Sequence, residues 1–168
     1  ITNNRILTFD IGSVETNAIV SLISSVDSGV GSGVEVGNAT TITSVMPMTG
    51  GAGTVHSMTA TQVDVAGNTS VVSGILAVTI DTVAPSAPIA PDMTTTTDTG
   101  ISNSDNLTND NTPAFDVIAG KGSSSMELFS SSDGNVGTRA GSGTITATAL
   151  TATGLNMTVT EIDVAGNA

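Results

Sequence analysis

Acidic side chains are the residues in this chain best placed to do chemistry. Asp98, Asp105 and Asp110 fall within the stretch DTGISNSDNLTND, interleaved with Asn, Ser and Thr and loosened by Gly100. Calcium takes roughly six to eight oxygen ligands from carboxylates, amides, carbonyls and water, and a loop rich in Asp and Asn is the usual source. The stretch is not an EF-hand, because it lacks the bidentate glutamate and the two flanking helices. Asp81, and Asp64 and Asp163 in two copies of Asp-Val-Ala-Gly-Asn, are further candidate ligands. The competing reading is that all these aspartates cap turns and solvate the surface.

Other chemistries find little support. His56 is the only histidine, so a multi-histidine metal site is excluded. The spacing of Ser, His and Asp fits no nucleophile pattern, and a lone exposed histidine is the expectation for His56. Without cysteine there is no disulfide, thiolate metal site or Cys nucleophile. Gly31-Ser-Gly33, Gly50-Gly51 and Gly141-Ser-Gly143 open no helix after a strand, so they are not phosphate loops. Asp64 and Glu161 belong to different copies of a repeat, which removes a glycosidase pair. The reading is of a protein that is not an enzyme and has no catalytic residues. Asn38, Asn106 and Asn156 head glycosylation triplets, which arise by chance in a Thr-rich chain.

The charge balance narrows the partners. Fifteen acids, eleven of them Asp, face three basic residues, for a net charge of −12. No cationic surface is available to displace counterions from phosphates, so nucleic acid is not a partner. No run of about 18 apolar residues occurs, so no membrane-inserted helix is expected. Aromatic residues make up only 2% of the 168, so any core rests on Val, Ile, Leu, Ala and gap-filling Met.

The elements that must position the acids are strands. Period-two alternation recurs in SMTATQVDV, NMTVTEIDV, GTITATAL and ILAVTID, punctuated by Gly, Asn, Asp and Ser, while helix formers are scarce. MTTTT reads as a Thr-rich strand leading into the acidic loop. An internal repeat organises these runs. Phe9-Asp10-Ile11 recurs as Phe115-Asp116-Val117 at a spacing of 106, and MTATQVDVAGN recurs as MTVTEIDVAGN at a spacing of 99. A period of about 100 residues suits an immunoglobulin-like sandwich and is too long for a solenoid. Residues 1–81 form the first copy and residues 92–168 the second, joined by a stiff linker at 82–91 that carries Pro85, Pro88 and Pro91. Gly67 and Gly166 can take positive φ, so Asp-Val-Ala-Gly-Asn reads first as a turn between a sixth and a seventh strand. The first copy lacks the first strand and the second lacks the seventh, which in the first copy spans roughly residues 70–81. The chain reads as a window on a longer array.

DVAGN, then TIDTVAPSAP, then TDTGISNSDNLTNDNTPAF resembles the bacterial immunoglobulin-like repeats of giant secreted adhesins and biofilm-associated surface proteins. The resemblance covers nearly the whole chain and implies an all-β fold of two tandem immunoglobulin-like Greek-key β-sandwich domains. It implies an extracellular or cell-surface extender whose partners are neighbouring immunoglobulin-like repeats of the same or an identical chain. It further implies stiffening by calcium, with Asp98, Asp105 and Asp110 as ligands in the loop. The family's topology would bring Asn3, Asn4, Asp81, Asp163 and Asn167 to the junction of the two copies, with Asp92 close by. Asn4 stands where the second copy has Asp110, which removes a charge there. The alternative is a subunit of an extracellular fibre, assembled by strand complementation or head-to-tail contacts. A sugar-binding module ranks last, because the chain has no Trp or Tyr.

Overall fold

The structure is a computed structural model that describes residues 1–34, 38–120 and 125–168. Every regular element among them is a strand. This follows from abundant Thr, Val and Ile, whose branched Cβ packs well on a pleated surface. The chain divides into two compact units, Ile1–Val83 and Ala84–Ala168.

Unit 1 contains β1 (Thr8–Gly12), β2 (Ile19–Ser24), β3 (Ser28–Val34), β4 (Ala39–Thr43), β5 (Thr54–Val63) and β6 (Leu76–Ile80). They form a four-stranded sheet in the order β3-β2-β5-β6 and a two-stranded sheet, β1-β4. Unit 2 contains β7 (Asp92–Met93), β8 (Ala114–Val117), β9 (Ser125–Ser130), β10 (Gly134–Ala140), β11 (Gly143–Thr146) and β12 (Met157–Ile162). Its sheets run β10-β9-β12 and β11-β8-β7. Strands adjacent in sequence repeatedly cross between sheets, so each unit is a layered pair closed over its own core.

Alternation builds both cores. Val20 and Leu22 of β2, Val30, Met58 and Ile80 meet Ile42 of the facing sheet, with Phe9 and Ile11 packed against them. Met126 and Leu128 of β9 and Val136 meet Phe115, Val117 and Ile145. Met48, Met58 and Met126 fill the space that aromatic rings occupy in richer cores. Each fully buried aliphatic side chain is worth about 1.5–3 kcal/mol.

The two units share their register. Phe9 stands opposite Ile42, and Phe115 opposite Ile145. Asp10 accepts the Thr41 hydroxyl at 2.9 Å, as Asp116 accepts that of Thr144 at 2.7 Å. Val63 pairs with Ile19, and Ile162 with Ser125, at the same sheet end, where both are only half-buried. A bulge skips Val30 in one unit and Val136 in the other, turning each valine into the core.

Their differences lie at the sheet edges. In unit 1, β5 is flanked by β6; in unit 2, β12 is the last strand of its sheet. In unit 2, β7 pairs with β8 and covers Phe115, whereas Phe9 has no such neighbour among the described residues and is less buried. Two sequence expectations need correcting. The Thr-rich run is not a strand: regular pairing stops at Met93, and the Thr94 carbonyl accepts the N–H groups of Thr97 and Asp98 at 2.9 Å. Threonine hydroxyls supply the competing bonds, with Thr97 Oγ1 bridging to the Ala114 backbone. The strand expected over residues 70–81 is regular only as β6. Ahead of it, Ser70 and Ser73 take the N–H groups of Gln62 and Ala60 on their hydroxyls, so side chains replace ladder carbonyls.

Candidate functional site

The acidic loop is built on the turn at residues 94–98. That turn carries Asp98 into the interior, where it is only 3% exposed. One carboxylate oxygen, Oδ2, accepts the Asn106 N–H at 3.0 Å and closes the loop between them. Asn106, at φ 56°, accepts the Met93 N–H on its own Oδ1. The other oxygen of Asp98, Oδ1, is buried and has no hydrogen-bond partner among the described residues. A buried carboxylate oxygen left unsatisfied is costly and invites a cation. Asp105 and Asp110 are placed differently. Asp105 Oδ1 accepts the Leu107 N–H at 3.2 Å, and Asp110 Oδ1 accepts both the N–H and hydroxyl of Thr112. Each caps its own turn. Among the described residues, no three His, Asp or Glu side chains group closely enough to hold a metal ion. The donors that fit calcium in kind are therefore Asp98 Oδ1 with backbone and amide oxygens of the loop.

The Asp-Val-Ala-Gly-Asn motifs are twin turns. Asp64 Oδ1 accepts the N–H groups of Ala66 and Asn68, and Oδ2 accepts Asn68 Nδ2 at 2.8 Å. Asp163 makes the same three bonds to Ala165 and Asn167. Gly67 and Gly166 both sit at φ +91°, where a side chain is strained. The Asn68 side chain, followed by its N–H, holds the Asp64 carboxyl below its ordinary value. Asp81 is buried, and its Oδ1 accepts the Val83 N–H at 3.1 Å where unit 1 ends.

A third constellation, unanticipated from sequence, locks the turn between β2 and β3 and its counterpart between β9 and β10. Ser24 Oγ accepts the N–H groups of Val26 and Asp27, and Ser130 Oγ those of Ser132 and Asp133. Asp27 then accepts the N–H and hydroxyl of Thr49, as Asp133 does those of Thr151. The Thr151 and Ser130 hydroxyls lower the Asp133 carboxyl against a smaller opposing effect of burial. At Asp27 burial is the largest single influence and raises the carboxyl. The two Thr49 bonds and the charges of His56 and Arg5 outweigh it, and the net shift is downward. The available signal was the recurrence of Ser-x-x-Asp at a spacing of 106.

His56 is not exposed. It lies on the inward face of β5, two residues before Met58, and is fully buried. Nε2 is 2.8 Å from the Thr49 carbonyl, which only accepts, so Nε2 carries the proton. Nδ1 faces the Ser24 hydroxyl at 2.8 Å and Asp27 Oδ2 at 3.3 Å. Ser, His and Asp do meet here, but not as a catalytic triad. Hydroxyl and carboxylate share one ring nitrogen instead of taking opposite ones, and no substrate reaches a buried imidazole.

Comparison with known proteins adds three findings. A family model described as "Bacterial Ig-like domain" matches residues 84–168. Among solved structures, "Biofilm associated protein - BSP domain" is similar at 13% identity with a TM-score of 0.30, over 95% of this chain and 27% of that one. No curated protein matches the chain.

Proposed function

The chain belongs to the bacterial Ig-like domain family, and from that premise we propose that it is a load-bearing extender of a repetitive surface adhesin. Residues 1–81 and 92–168 act as tandem immunoglobulin-like repeats joined by the linker at 82–91, outside the cell, in series with further repeats. They do no chemistry; their work is reach and resistance to tension.

The observation that carries this reading is how unit 1 is closed. Thr2 and Ile80 form a parallel bridge in which the Thr2 N–H reaches Thr79 O at 3.1 Å and the Asp81 N–H reaches Thr2 O at 2.9 Å. Gly51 and Asp81 add a second parallel bridge, with the Thr82 N–H on Gly51 O at 2.9 Å. In a parallel pair the chain arrives beside one strand and leaves beside the other in opposite directions. Tension across the unit therefore loads the two Thr2 bonds together in shear instead of peeling them one by one.

Calcium belongs to the same proposal. With net charge −12, repeats in series repel one another, and a divalent cation offsets that repulsion. Asp98 Oδ1 supports a site in the acidic loop, with Asp105 and Asp110 turning their free oxygens to it on binding; Asp81 and Asp163 are the candidates at the repeat ends. Extracellular modules bind calcium at about 10⁻⁴–10⁻³ M. Calorimetry on the chain and on Asp98→Asn, with small-angle scattering of several repeats in series with and without chelator, tests it. The expected result is calcium heat that Asp98→Asn weakens at least tenfold, and a longer maximum dimension with calcium. No heat and an unchanged dimension would remove calcium from the account.

A further inference from the structure

The hairpin that joins β9 to β10 carries the only Asp-Gly pair in the chain, Asp133-Gly134, and the sequence has no Asn-Gly. An aspartate followed by glycine is open to attack by its own main chain. The nitrogen of the next residue reaches the carboxyl carbon through a five-membered ring, and glycine puts no side chain in the way. Gly134 is exposed at φ +74°, and a Cβ built there meets no described atom. A spacing of 106 puts Asp27-Ser28 at the same point of unit 1, where Ser28 takes φ 62° in spite of its side chain. Unit 2 thus relieves backbone strain with glycine and gives up the hindrance that a side chain supplies.

What restrains the pair is the latch around it. Asp133 Oδ2 accepts the Ser130 hydroxyl at 2.9 Å. Oδ1 accepts the Thr151 N–H at 3.3 Å and also the Thr151 hydroxyl. The Asp133 N–H is itself held on Ser130 Oγ. This clamp slows the reaction in two ways. It fixes the side chain, so the carboxyl carbon does not swing onto the Gly134 nitrogen. It also favours the ionised carboxylate, a poor electrophile, over the neutral acid that reacts. Ser130 is buried but Thr151 is exposed, so the latch opens from the Thr151 side.

We propose that Asp133-Gly134 is a self-modifying site, an isoaspartate-forming turn whose rate is set by the Thr151 hydroxyl. The Gly134 nitrogen loses its proton and bonds to Asp133 Cγ, and one carboxyl oxygen leaves as water. The product is a five-membered cyclic imide. Water then opens the ring. Attack at Cγ restores aspartate; attack at the main-chain carbonyl carbon leaves the chain running through Cβ and Cγ, with a free carboxylate on Cα. Water is the only co-reactant, and the final product has the mass of the starting chain. Isoaspartate adds one methylene to the main chain at the hairpin tip and takes the carboxylate off the arm that Ser130 and Thr151 grip. The latch of unit 2 is then lost, while that of unit 1 persists. The inference holds whether or not the chain bears load or binds calcium.

The test incubates the whole chain, Thr151→Val and Gly134→Ser side by side at neutral pH over weeks, with the unaltered chain also held unfolded in urea. Trypsin cuts after Lys121 and Arg139, so the pair lies in the peptide 122–139. Electron-transfer fragmentation of that peptide distinguishes isoaspartate from aspartate at position 133. Thr151→Val keeps the size of an exposed side chain and removes only its hydroxyl, so circular dichroism should match the unaltered chain. Expected is isoaspartate at position 133, slower in the folded chain than in urea, and about tenfold faster in folded Thr151→Val through loss of a hydrogen bond to a charged group. Gly134→Ser should suppress it. Equal rates in folded Thr151→Val and the unaltered chain would overturn the proposal. So would a folded chain that reacts as fast as the unfolded one, a comparison that stands even if Thr151→Val fails to fold. Isoaspartate arising first at Asp27 would overturn it as well.

Discussion

Replacing Gly137 with alanine should damage unit 2 by a mechanism that can be isolated. Gly137 follows the bulge in β10, where the strand bears down on the facing sheet. A Cβ built there runs into Ile145 Cγ2. Ile145 is 3% exposed and Cγ2 sits on its branched carbon, so it cannot yield without a change of rotamer inside a packed core. Overpacking of this kind costs about 1–3 kcal/mol. Ile145→Ala alone costs about 2–5 kcal/mol through lost burial and the cavity left behind. The double variant removes the clash, so the two costs should fall short of additive by more than about 0.5 kcal/mol. Urea unfolding of the four proteins, followed by far-ultraviolet circular dichroism, reads the cycle. Gly31→Ala should repeat the result in unit 1, where the new Cβ meets Ile42 Cγ2 at 2.7 Å. An additive cycle, or a Gly137→Ala cost below about 0.5 kcal/mol, would refute the claim that the bulge presses these glycines onto the opposite sheet.

Acid should loosen the turns. Asp27, Asp64 and Asp133 titrate below their ordinary value of 3.8 in the folded chain, so the unfolded chain takes up protons first as pH falls. Their contribution is complete above 3.8 and is lost as pH drops through the lower folded values, and Asp27→Asn with Asp133→Asn should flatten stability against pH there. His56→Leu keeps the volume but leaves the Thr49 carbonyl without its donor, and should cost about 1 kcal/mol by thermal unfolding; an unchanged midpoint would contradict the assigned proton on Nε2. Gly166→Ala forces a Cβ onto φ +91° and should cost about 1 kcal/mol or more, matched by Gly67→Ala.

Periodicity carried much of the architecture. Short-range alternation placed Met58, Val159 and their neighbours on strands, and the recurrence of Phe-Asp and Asp-Val-Ala-Gly-Asn aligned the units before any coordinates. What escaped was set by side-chain hydrogen bonding. MTTTT has strand propensity, but threonine hydroxyls offered the backbone another set of partners, and the chain turned. His56 looked like a surface residue because its type is polar; its alternation with Met58 pointed inward, and Ser24 and the Thr49 carbonyl satisfy it there. The Ser24–Asp27–Thr49 latch joins residues far apart in sequence, so only the repeat of Ser-x-x-Asp hinted at it. For the proposed calcium site, the acidic spacing drew attention to Asp98, Asp105 and Asp110 as equals. Burial separates them: the fold sinks one carboxylate and leaves the others capping turns.

Single-molecule force extension of the chain tests the load-bearing account most directly. Units of 83 and 85 residues, at about 3.3–3.6 Å per extended residue, should each release about 25–30 nm of chain. The account predicts two separate force peaks of that spacing, with the peak of unit 1 lowered when Thr2→Pro removes the N–H that bonds Thr79 O. A single rise of about 55–60 nm, or extension without a force peak, would contradict it.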